Sequence, residues 1–143
     1  MSGQVDMADT ASISWNEAQV RARRVAYQRL LGADLLLHLG VGLTCLLAPR
    51  GVGALTGELA PGWIRGWGAA IVLVCALQLP GLQDPLRSRY PNIAGVAGRF
   101  WLSAVWFVAG GGLIVFALAD LGLGLALGWL YYRYCIVEIM SRP

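Results

Sequence analysis

Asp34, His38, Arg99 and Asp120 are ionisable side chains set in stretches that are otherwise apolar. A charge at the centre of a bilayer costs at least ~2.5 to 3.5 kcal/mol, so such groups turn inward, pair, or handle a proton or ligand. Their spacing sorts them onto helix faces. Asp34 and His38 are four apart and share one face, with Gly42 a turn further on. Gly95, Arg99 and Ser103 form a second stripe. Asp120, Gly124 and Gly128 form a third, its two glycines in the GxxxG spacing that lets helices approach closely.

Depth suggests the partners. Counted from the ends expected to face the cytoplasm, Asp34 lies about nine residues in and Arg99 about seven, a difference of ~3 Å at 1.5 Å per residue. His38 and Asp120 each lie about thirteen residues in. The expectation is a polar core in two tiers, Arg99 with Asp34 and His38 with Asp120. Such a core could simply fix helix register, because polar contacts hold membrane helices together. It could equally form a ligand or proton site. With one histidine in the chain, a bis-His haem within one copy is impossible, leaving only a single axial ligand or one shared across a dimer. Cys45, Cys75 and Cys135 show no CxxC spacing and read as small buried hydrophobes, so neither a metal site nor a disulfide framework is expected. No HExxH, GxSxG or glycine-rich phosphate loop occurs, and Ser103 with His38 does not make a triad. No catalytic residue and no cofactor can be named from these patterns.

These residues must be positioned by membrane helices. The chain has 143 residues, 57% hydrophobic and 13% charged, against about 25% charged in ordinary soluble domains. Its mean hydropathy is +0.61. The expected fold is an all-α, polytopic four-helix bundle preceded by an amphipathic helix. Residues 1–13 are expected to be a disordered polar tail. Ser14-Trp15-Asn16-Glu17 has the form of a capping box, opening an interfacial helix over 14–24. Spans are expected at about 25–48, 63–79, 92–109 and 113–132, each long enough for hydrocarbon roughly 30 Å thick. Pro49, Pro80-Gly81 and the Gly110-Gly111-Gly112 triplet mark their limits, and residues 134–143 read as a tail. Gly32, Gly40 and Gly122 join the glycines above as expected packing notches.

All 11 basic residues are Arg, the usage of a GC-rich genome. Arg21, Arg23, Arg24 and Arg29 lie in the N-terminal segment that runs into the first span, Arg87 and Arg89 follow the second, and Arg133 and Arg142 follow the fourth. Only Arg50 and Arg65 lie on the other side, so both termini are expected in the cytoplasm. Trp63, Trp67, Trp129, Tyr131, Tyr132 and Tyr134 lie near expected span ends, as aromatic belts do. No basic stripe interleaved with aromatics marks a nucleic-acid face.

Leu46-Leu47-Ala48-Pro49 ends the first span, Arg65-Gly66-Trp67-Gly68-Ala69 opens the second, and Ile93-Ala94-Gly95-Val96-Ala97-Gly98-Arg99 forms much of the third. With Ala119-Asp120-Leu121 in the fourth, this layout over about residues 26–133 resembles the DoxX-like superfamily of small bacterial membrane proteins. The resemblance implies a four-helix bundle in the bacterial inner membrane, with some members tied to thiosulfate and quinone oxidation or partnering redox enzymes. The cysteine pairs of the branch that supports disulfide or cofactor maturation are missing here. Three readings follow. The first is a non-catalytic accessory subunit of a larger, redox-type membrane complex, with a protein partner or a second copy packed on its glycine faces. The second is a protein that binds quinone or another apolar ligand at the polar layer. The third is a small proton-coupled, transporter-like oligomer, which the absence of an inverted internal repeat weakens.

Overall fold

A computed structural model describes residues 7–57 and 60–140, with side chains from Trp15 onward apart from Asn16. The described residues are helical apart from short turns, without strands: α1 (Met7–Leu47), α2 (Pro49–Thr56), α3 (Pro61–Gln83), α4 (Arg89–Ala109) and α5 (Ile114–Met140). Four of them are long and apolar enough to cross a membrane, over Glu17–Leu47, Pro61–Gln83, Arg89–Ala109 and Gly111–Met140. The chain is an all-α, multi-pass membrane protein.

The element ends differ from the sequence expectation in physically simple ways. Residues 1–6 of the expected disordered tail lie outside the described residues, whereas Met7–Ile13 are helical. Extending a helix costs far less than nucleating one, and α1 therefore grows backward through alanine-containing sequence. Ser14 consequently lies inside α1, and no separate helix starts there. Among the side chains described from 15 to 26 none is buried; the first buried one is Tyr27. At the other end of α1, Pro49 stops the span and opens the short helix α2, where its missing N–H is tolerated at the first turn. Pro80 does not close the second span but sits inside α3, which continues to Gln83. α5 runs on to Met140, so residues 134–140 belong to a helix. Tyr131 and Tyr134 are accordingly buried instead of lying in an interfacial belt, while Trp63, Trp129 and Tyr132 are exposed. The glycine triplet does reverse the chain: Gly110 and Gly111 take φ of 71° and 59°, conformations open to glycine at little cost.

α1 packs against α3 and α5, and α4 packs against α5 and, less extensively, α3. Tyr27, Leu31, Leu35, Cys75, Leu127 and Tyr131 form the apolar core. Two devices bind the helices together. Toward the end nearer α2, Gly42 and Gly68 meet: a Cβ on Gly68 would come 2.7 Å from the Gly42 carbonyl and 2.8 Å from Cys45 Cβ. At the opposite end, other helices satisfy the last carbonyls of α3, which have no intrahelical partner. Gln28 Nε2 donates to the Leu82 carbonyl at 2.7 Å and Arg24 Nη2 to that of Gln83 at 3.1 Å. Asn92 Nδ2 and the Tyr131 hydroxyl both donate to the Pro85 carbonyl, at 3.0 and 3.2 Å.

Candidate intramembrane polar site

Arg99 on α4 is the hub. Its Nη2 donates to Asp34 Oδ2 on α1, and its Nη1 donates to Asp120 Oδ1 on α5 at 3.1 Å. The same Nη1 lies 3.0 Å from His38 Nε2. The two expected tiers are thus one cluster, because a guanidinium reaches both carboxylates at once through separate N–H groups. Asp34, Arg99 and Asp120 are at most 6% exposed, while the His38 side chain is 20% exposed.

The hydrogen bonds define how the imidazole sits. Its Nδ1 is 2.9 Å from the Asp34 carbonyl oxygen, which can only accept, and Nε2 faces a guanidinium N–H, which can only donate. A neutral ring protonated at Nδ1 satisfies both contacts. A second proton on Nε2 would have Asp120 Oδ1 at 3.6 Å to meet it. With neutral His38 the cluster holds two carboxylates against one guanidinium, and one added proton balances it. Asp34 Oδ1 and Arg99 Nε are buried without a hydrogen bond. The Asp34 oxygen is nevertheless 3.2 Å from His38 Nδ1, an ion-pair distance should the ring charge.

Helix α5 is fixed to α4 beside the cluster. Ser103, one turn from Arg99, donates to the Ala117 carbonyl at 2.8 Å. Gly124 leaves room for the Arg99 stem, since a Cβ there would lie 3.3 Å from Arg99 Cβ. Gly128 faces Val96 at the same 3.3 Å. Gly42 and Gly95 likewise lie against neighbouring helices. Gly40 and Gly122, in contrast, have nothing of this chain within 4 Å of an added Cβ and take no part in its internal packing; Gly32 would meet only Leu82, at 3.8 Å.

On the side of Arg99 away from α5, helices α1, α3 and α4 part to leave a cavity of about 360 Å³. That volume suits a small organic ligand. His38 and Arg99 form its polar wall, and Trp67, Ile71, Val74 and Trp101 are among its apolar linings. Gln78 also lines it. Sequence reasoning missed Gln78 and Asn92, which are buried polar residues of α3 and α4. An uncharged amide in a span gives a weaker signal than a charge. The clue available was a glycine on the neighbouring helix: a Cβ on Gly95 would come 2.8 Å from Gln78 Nε2, and one on Gly81 would overlap the Asn92 amide.

Among the described residues, no group of three or more His, Cys, Asp and Glu side chains could hold a metal ion. Cys45, Cys75 and Cys135 are free thiols. Comparison with known proteins adds no relative: no family model matches the chain, and neither a curated protein nor a solved structure does.

Proposed function

We propose that this is a DoxX-like protein of the bacterial inner membrane, with both termini in the cytoplasm, that binds quinone or another apolar molecule beside its buried polar cluster. The observation that carries the reading is the cavity between α1, α3 and α4, apolar for most of its wall and edged by His38 and Arg99. Ligand sites have this composition: apolar walls for affinity and a few placed polar groups for orientation. The ion pairs hold the Arg99 guanidinium and, through Asp34, the imidazole in fixed positions, so neither has to be ordered when a ligand arrives. The excess of arginine on the side of the two termini supports the orientation.

A second reading, an accessory subunit of a larger complex, is favoured by Gly40 and Gly122, which leave open space at exposed positions of α1 and α5 where another helix could approach. One experiment separates the two. Wild type and Ala94→Phe, which fills the cavity from α4, are extracted in mild detergent and everything that co-purifies is identified by mass spectrometry. An apolar molecule stoichiometric with wild type and depleted from Ala94→Phe supports ligand binding. A stoichiometric protein partner with both forms supports the subunit reading, and an empty cavity in both overturns the first proposal.

A further inference from the structure

Resting on that reading, we infer that the molecule held in the cavity is an uncharged lipophile whose head both donates and accepts hydrogen bonds, and that Gln78 selects it. Gln78 is only 6% exposed and lines the cavity, yet it makes no hydrogen bond to another described residue, and its amide atoms are not among the side-chain atoms sealed off in the interior. A carboxamide carries two N–H donors and an oxygen with two lone pairs. Buried amides are almost always paired, and one left open toward a cavity needs its partner from elsewhere. A head with an adjacent donor and acceptor, such as an amide, an alcohol or a protonated acid, satisfies both ends of the group.

The rest of the wall argues against a charged head. Arg99 is already shared between Asp34 and Asp120. An anion would add a third negative charge to a site where Arg99, even joined by a protonated His38, only balances the two carboxylates already there, and a cation would have to lie against that guanidinium. Buried charges without a matched partner are strongly disfavoured. The position of the cavity indicates how such a molecule arrives: Val74, Leu77 and Trp101, which line it, are also exposed on the outer surface of α3 and α4. Access is therefore sideways, from the lipid. Gly95 seats the selecting group, because a Cβ there would press on the Gln78 carboxamide at 2.8 to 3.0 Å.

The test uses the full chain in phosphatidylcholine nanodiscs, photolabelled with an oleamide carrying a diazirine in its chain. Unlabelled oleamide (donor and acceptor), oleyl alcohol (both, from one hydroxyl) and methyl oleate (acceptor only) compete. Labelling is expected on peptides holding Val74–Gln78 and Ala94–Leu102. The amide and the alcohol should compete at concentrations roughly tenfold below the ester, the worth of one buried hydrogen bond. Gln78→Leu should abolish that difference. Gly95→Ala should reduce it with the glutamine still present, which keeps the test decisive if Gln78→Leu does not fold. Equal competition by all three at a labelled cavity overturns the selection but leaves the ligand reading standing. A tenfold preference that survives in Gln78→Leu overturns the role of Gln78. Labelling confined to other surfaces overturns the ligand reading itself.

Discussion

Helix α4 has two seams, and they treat polar groups in opposite ways. Against α5, Arg99 meets Asp120, Ser103 meets the Ala117 carbonyl, and Gly124 and Gly128 bring the helices close. Against α3 the helices part around a cavity lined in part by Gln78, a buried residue with no hydrogen bond to another described residue. Within a bilayer the lipid chains are as apolar as the side chains, so packing and polar contacts must supply helix association. The first seam spends its polar groups on cohesion. The second leaves a polar group unspent, which costs stability unless another molecule uses it.

This contrast can be broken at four points. The largest effect is expected from Arg99→Ala, which strands the Asp34 and Asp120 carboxylates in the bundle and should lower stability by about 3 to 5 kcal/mol. Adding Asp34→Asn and Asp120→Asn should recover part of that loss, read by denaturant titration in detergent. Next comes Gly68→Ala, whose methyl meets backbone and Cβ atoms of α1 at 2.7 to 3.0 Å, so whole helices must shift. A loss of about 1 to 3 kcal/mol in the same titration is expected. Gln78→Leu should do the opposite. It removes an unpaired amide and should raise the stability of ligand-free protein by about 1 kcal/mol. A clear loss would mean that the glutamine serves cohesion after all. Smallest are Gly40→Ala and Gly122→Ala, each with open space for the methyl and an expected change within about 0.5 kcal/mol. A large effect of either on co-purifying protein, without one on stability, would instead mark a face used by a partner.

The four spans were legible because each rests on an averaged property, a long apolar run, that no single residue can undo. The involvement of Asp34, His38, Arg99 and Asp120 was legible for a related reason, since a charge in such a run has few places to go. Their arrangement was less so. Depth counting paired Arg99 with Asp34 and His38 with Asp120, but rise per residue carries no information on how far a guanidinium reaches sideways. Pro80 misled as a helix end, because a proline in a membrane helix can be accommodated by its neighbours. Here Gly81 behind it packs against Asn92, and the last turn is capped by Gln28 and Arg24. Gln78 stayed hidden because its importance lies in what it fails to touch, and a sequence does not record missing partners.

The most direct test of the contrast is nuclear magnetic resonance of deuterated, glutamine-¹⁵N-labelled protein extracted with whatever it has bound. The account predicts that the Gln78 side-chain amide protons show cross-peaks to protons of a non-protein molecule, absent from Ala94→Phe. Cross-peaks to protein groups alone, with the amide paired inside the bundle, would contradict it and make the second seam cohesive like the first.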